Sequence, residues 1–173
     1  MISEVMQKSL LEQLNKEFYS AYLYLAMSAH SHQMDLNGAA HWFMIQYEEE
    51  VAHGTKIYNY LIDQGVDVEL EAIEKPPKSF GDLRETFQAS LAHEQKMTGY
   101  LNELSDQALK EKDHATYNLL QWFVTEQVEE EATVGEIISK LKIVGKDGYG
   151  LLMIDNELAS RSAATALSNN GAV

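Results

Sequence analysis

Apolar residues recur in steps of three and four over four long stretches, the spacing of helices that each bury one face. The first seam reads Leu10, Leu14, Glu17, Ala21, Tyr24, Ser28, and the second Phe43, Tyr47, Glu50, Gly54, Ile57, Leu61. The third reads Leu83, Phe87, Ser90, Glu94, Met97, Leu101, Leu104, Ala108. The fourth reads Leu120, Phe123, Gln127, Glu130, Val134, Ile137, Leu141. The only prolines, Pro76 and Pro77, stand together between the second and third stretches, so no helix interior contains a breaker of that strength. The pattern predicts a first helix from about Ser3 to His32 and a second from the Met34–Gly38 turn to about Gln64, stopped by Gly65. The third is expected from Ser79 or Asp82 to about Lys112, and the fourth from an Asp113 N-cap to just before Gly145. A shorter fifth helix is expected over Gly150–Ser160, and the polar end from Ser168 is expected to fray.

Link lengths set the topology. The first and third links are short, so each joins antiparallel neighbours. The second, about Gly65–Ser79, is long enough to return along a whole helix. A helix of ~28 residues is about 42 Å long, and 14 extended residues reach about 46–50 Å. The second and third helices can therefore lie parallel. The expected fold is all-α: a four-helix bundle with one long crossover plus a short C-terminal fifth helix. Residues 1–160 are expected to form one domain and 161–173 a flexible tail.

Charge narrows the partners. The 173 residues include 27 acidic and 13 basic side chains, a net charge of -14. Such a surface repels phosphate backbones and anionic lipid, so neither nucleic acid nor membrane is expected as a partner; it attracts cations. The absence of cysteine excludes disulfides, thiolate metal sites and cysteine nucleophiles. The longest apolar run, Ala21–Met27, is far short of the ~20 residues that span a bilayer. The start Met1-Ile2-Ser3-Glu4 has no basic segment leading into an apolar one, which predicts no secretory leader and a cytoplasmic location.

Each seam is interrupted near mid-helix by one glutamate: Glu17, Glu50, Glu94 and Glu130. Mid-helix positions meet at one level whether neighbours run parallel or antiparallel, so the bundle gathers four carboxylates in its core. Burying an ionised carboxylate costs several kcal/mol. Four together would cost more than ten or so, comparable to the ~5–15 kcal/mol that holds a domain folded. The cluster must be protonated, hydrated or neutralised by metal. No Lys or Arg lies on the seams, which favours metal. Glu50-Val51-Ala52-His53 adds an imidazole on the same helix face as Glu50. The Glu-x-x-His spacing is weak alone and gains meaning beside three more seam carboxylates. Four negative charges balance two divalent cations. Carboxylates with one imidazole suit iron or manganese and tolerate zinc.

These residues carry a resemblance to a known family. The set Glu17, Tyr24, Glu50-x-x-His53, Glu94 and Gln127-x-x-Glu130 resembles the ferroxidase centre of bacterial non-haem ferritins. So do the stretches Glu17–Tyr24, Asn118–Val124 and Glu126–Glu131, and the resemblance runs from the first residues to about Ser160. It implies a ferritin-like bundle that binds two irons as substrate. One takes Glu17, Glu50 and His53; the other takes Glu50 as bridge, Glu94 and Glu130, with Gln127 alongside. Tyr24 matches a tyrosine beside that centre, against the alternative of an ordinary core tyrosine. Glu49, Glu126 and Glu129 match a third iron site; by sequence alone they belong to acidic runs that usually face solvent. The resemblance further implies oxidation of Fe(II) by O2 or peroxide, ferric mineral stored in a hollow shell, and a homo-oligomer of twenty-four subunits. The fifth helix, apolar through Leu151, Leu152, Ile154 and Leu158, would pack about a four-fold axis of that shell, or fold back on its own bundle. Two departures separate this chain from related patterns. Thr133 stands where other di-iron oxidases place a second histidine, and Val51 stands where a haem-binding relative has methionine, so no haem is expected.

Overall fold

The computed structural model describes residues 2–162, so the expected fraying from Ser168 lies outside the described residues. They form five helices and no strand: α1 Glu4–Gln33, α2 Asn37–Asp63, α3 Leu83–Glu111, α4 His114–Val144 and α5 Gly148–Leu158. Local chemistry sets most ends. The Ser3 hydroxyl accepts the Met6 N–H at 3.0 Å and opens α1. Of the two expected starts for α3, Asp82 is the one used, because it closes a capping box with Glu85. Asp82 accepts from Glu85 N, and Glu85 accepts from Asp82 N, each at 2.8 Å. Asp113 caps α4 through the Thr116 N–H at 3.0 Å. Gly65 ends α2 at φ +75°, letting Val66 N–H reach back to Leu61 O at 3.0 Å.

Two boundaries differ from expectation. Asn37 and Gly38 belong to α2 rather than to the turn before it. Gly38 is required by packing: a Cβ there would stand 1.7 Å from the carbonyl oxygen of Asp155 in α5. The fifth helix begins and ends two residues early, because Asp147 caps it by accepting from Gly150 N at 3.0 Å.

α1 pairs closely with α2, and α3 with α4. The crossover, residues 64–82, runs alongside α1. Asn15 Nδ2 donates to the carbonyls of Glu71 and Ala72 at 3.2 and 3.3 Å. Further along, His30 Nε2 meets Gly81 O at 2.8 Å. The chain thus returns to the starting end of α2 before α3 begins, which makes α2 and α3 parallel. The core has two apolar clusters. One holds Tyr24, Met27, Trp42, Phe43, Phe87 and Val134; the other holds Leu10, Leu14, Ile57, Leu101, Leu120 and Phe123. Phe43 stacks on Phe87 at 4.7 Å between centroids. Between the clusters lies a buried polar layer containing Glu17, Glu50, His53, Glu94 and Gln127.

α5 folds back on its own bundle. Ile154 and Leu158 join the first cluster, and Asp155 accepts the Ala39 N–H at 2.8 Å. Leu151 packs partly against that cluster, while Leu152 is exposed. No helix among the described residues is long and apolar enough to cross a membrane.

Candidate metal centre

The seams read from sequence are the buried faces of α1 to α4, with Tyr47 and Glu130 only partly covered. Glu17 on α1, Glu50 and His53 on α2, Glu94 on α3, and Gln127 and Glu130 on α4 meet in the polar layer. Ligand atoms of Glu17, Glu50 and His53 lie within 4.8 Å of one another, as do those of Glu50, Glu94 and Glu130. Glu50 belongs to both groups, so it stands where a ligand shared by two ions would stand. His53 Nδ1 lies 3.6 Å from Glu50 Oε2 and 4.0 Å from Glu17 Oε2.

Neutral donors hold the carboxylates in place. Gln13 Nε2 donates to Glu17 Oε1 at 2.7 Å. The Tyr24 hydroxyl donates to Glu94 Oε1 and lies 3.1 Å from Ser90 Oγ. Gln127 Nε2 is shared between Glu94 Oε2 at 3.0 Å and Glu94 O at 3.1 Å. Glu130 Oε2 is buried and accepts no hydrogen bond, and Gln13 Oε1 is a second buried acceptor without a donor. Orphaned buried acceptors are rare in folded proteins, and these two belong to the carboxylate cluster and to a side chain bonded to it. The Trp122 and Phe123 rings pack nearly perpendicular to the His53 imidazole, with centroids 5.3 and 5.8 Å from its own.

The electrostatics are those of a site waiting for positive charge. Burial pushes Glu50 well above the usual carboxylate range, and Glu94 and Glu17 push it further. Glu130 is raised in the same way by burial and then by Glu94 and Glu50. Burial also raises Glu17 and Glu94, against the opposing pull of His53 on the first and of Tyr24 and Gln127 on the second. Burial and Glu94 hold the Tyr24 phenol well above its ordinary value, so it keeps its proton. Without cations the cluster retains protons; two divalent ions would replace them. Four oxygen-donor residues and one imidazole form the hard, mixed donor set that suits Fe(II) or Mn(II).

The remaining expected ligands are placed differently. Among the described residues, Glu49, Glu126 and Glu129 do not converge as the two groups do. Glu126 is half-buried, with the charges of His53, Glu129 and Lys56 acting on it, and Glu129 is exposed. Glu49 is held by Arg161, whose Nη2 donates to both its oxygens at 3.0 and 2.7 Å. Sequence reasoning missed Gln13, Ser90 and Arg161. Gln13 and Ser90 each stand one helical turn before a seam glutamate, Glu17 and Glu94, a spacing that was there to be read. Arg161 carries no local signal, since its partner is 112 residues away.

Comparison with known proteins gives concordant findings. Residues 7–144 match the family model described as "Ferritin-like domain". A "Probable bacterial non-heme ferritin-like protein" of Haemophilus influenzae is 40% identical over 162 residues, covering 94% of this chain and 98% of the relative. A "Bacterial non-heme ferritin" of Staphylococcus aureus is 39% identical over the same shares. Among solved structures, an open-pore ferritin of the hyperthermophilic archaeon Archaeoglobus fulgidus superimposes with a TM-score of 0.93 at 41% identity. That match covers 94% of this chain and 100% of the other.

Proposed function

From the premise that this chain belongs to the ferritin family, we propose that it stores iron and oxidises it at the buried carboxylate centre. Fe(II) is the substrate. The first ion takes Glu17, Glu50 and His53, and the second takes Glu50, Glu94 and Glu130. Gln127 and Tyr24 position Glu94 through its two carboxylate oxygens. The observation that supports this reading is the pair of ligand groups sharing Glu50, with no lysine or arginine ion-paired to those ligands among the described residues. A structural bundle has no use for such a cluster, which costs stability until it is neutralised.

The redox step balances without a further reductant. Each Fe(II) gives one electron, and a pair reduces one O2 to hydrogen peroxide. With four waters, the pair yields two FeO(OH) and releases four protons in all. Peroxide can serve as oxidant in the same site. The ferric product is deposited as mineral inside a shell of identical subunits, twenty-four being the number that the resemblance implies. Glu49, Glu126 and Glu129 would hold a third ion near the inner surface. No haem takes part, and a cytoplasmic site of action fits a chain without a membrane-crossing helix among its described residues. Residues 1–160 would act as the storage domain, with the remaining residues as an appendage.

Anaerobic Fe(II) titration followed by O2 tests this reading. The expected result is two ions bound per chain and oxidation far faster than in buffer. Oxidation no faster than in buffer sinks the enzymatic claim. Large particles that load iron at a rate unaffected by Glu94→Ala would leave storage without ferroxidase chemistry.

A further inference from the structure

Arg161 follows α5, close to where the described residues end. Its backbone carbonyl meets His41 Nε2 at 2.9 Å, and its guanidinium carbon lies 4.5 Å from the Trp42 ring centroid. The same guanidinium engages both oxygens of Glu49 through Nη2. The pair is largely withdrawn from water, the side chains of Arg161 and Glu49 being 21% and 14% exposed. The guanidinium lies over an indole and bonds the carboxylate through Nη2 alone, while its buried Nη1 has no hydrogen-bond partner among the described residues. Glu49 is adjacent in sequence to Glu50, and the charge of Glu126 on α4 reaches it.

An ion that uses Glu49 as ligand therefore meets a carboxylate already occupied by a cation of this chain. We propose that Arg161 is a built-in competitor for the third ion, which binds only when Glu49 exchanges the guanidinium for metal. The inference rests on the reading of Glu49, Glu126 and Glu129 as a third-ion site. It explains why those three groups do not converge while the two groups around Glu50 do. Arg161 draws Glu49 toward the end of α5 and supplies the charge that a metal would supply. Among the described residues Arg161 bonds to Glu49 and not to Glu17, Glu50, His53, Glu94 or Glu130, so it reaches the first two ions only at second hand, through the charge of Glu49 on Glu50 and Glu130.

Calorimetric titration of the assembled protein with Fe(II) under argon, repeated with Zn(II), tests the proposal. Native protein is expected to bind two ions tightly and a third weakly. Arg161→Gln is expected to tighten the third at least about 10-fold and to change the first two by much less. Arg161→Lys should fall between, as a lysine keeps the charge but loses the flat guanidinium that lies over Trp42. Adding Glu49→Gln to Arg161→Gln should abolish the gain. A third affinity indifferent to Arg161→Gln, or a gain that survives Glu49→Gln, overturns the proposal. Should Arg161→Gln fail to assemble, hydrogen exchange in native protein decides. Protection over 158–162 should fall on the third equivalent of Zn(II), and unchanged protection overturns the proposal. Two ions bound with a third indifferent to Arg161 sinks this inference alone, whereas no ion bound at all sinks the storage reading with it.

Discussion

Changing Glu50 to Gln should stabilise the metal-free protein and destabilise the loaded one. Glu50 is 2% exposed, and its nearest ion-pairing nitrogen is His53 Nδ1 at 3.6 Å. Burial, Glu94 and Glu17 all raise it above the ordinary value of 4.5. The folded chain therefore keeps a proton that the unfolded chain gives up. Stability of the native metal-free protein must fall as pH rises from about 4.5 through the higher folded value. A glutamine of nearly the same shape has no such loss. Its advantage should be absent below about pH 4.5 and grow above it. Each pH unit over which the folded carboxyl keeps a proton that the unfolded one has lost costs the native protein about 1.4 kcal/mol. At about 2–4 °C per kcal/mol for a chain of this size, a gain of about 1–3 kcal/mol raises the melting temperature by about 2–12 °C near pH 7.5. Loading reverses the order. An ion at 100 times its dissociation constant stabilises by about 2.7 kcal/mol, and Glu50 belongs to both ligand groups, so its loss forfeits up to about 5 kcal/mol. Scanning calorimetry of chelator-treated and Zn(II)-loaded protein across pH reads both signs. The reasoning is refuted by a metal-free variant that melts at or below native at pH 7.5, or by a difference that does not widen with pH.

Other substitutions probe single contacts. Glu94→Ala should slow Fe(II) oxidation by at least about 100-fold in stopped-flow assays, since changes even to groups behind metal ligands cost 10–100-fold. Tyr24→Phe removes the hydrogen bonds to Glu94 and Ser90 while keeping the ring. Oxidation should slow about 10-fold with two ions still bound by titration, and unfolding should show a loss of about 1 kcal/mol. Gly38→Ala should force α5 away from α2, at a cost of about 1–3 kcal/mol in denaturant unfolding and with faster hydrogen exchange confined to α5.

Most of the bundle was legible because its determinants are local. The period of three and four fixed which faces are buried, and Ser3, Asp113, Gly65 and Gly145 marked ends that the structure uses. The start of α3 stayed open between Ser79 and Asp82 until the reciprocal bonds of Asp82 and Glu85 were seen. Gly38 misled because a glycine after a turn looks like part of it, whereas its purpose is the close approach of Asp155. The four seam glutamates were legible by the same periodicity, since an acid on an apolar stripe stands out. Donors such as Gln13 were hidden by being ordinary polar residues on a seam edge. Arg161 was hidden because its meaning lies in a contact between distant parts of the chain, and no periodicity records that.

The central claim is that two irons share Glu50 in the core. Anomalous scattering at the iron edge from crystals soaked in Fe(II) without oxygen tests it most directly. Two peaks per chain are predicted, one on Glu17, Glu50 and His53 and the other on Glu50, Glu94 and Glu130. A single peak, or peaks on the surface with the Glu50 cluster empty, would contradict it.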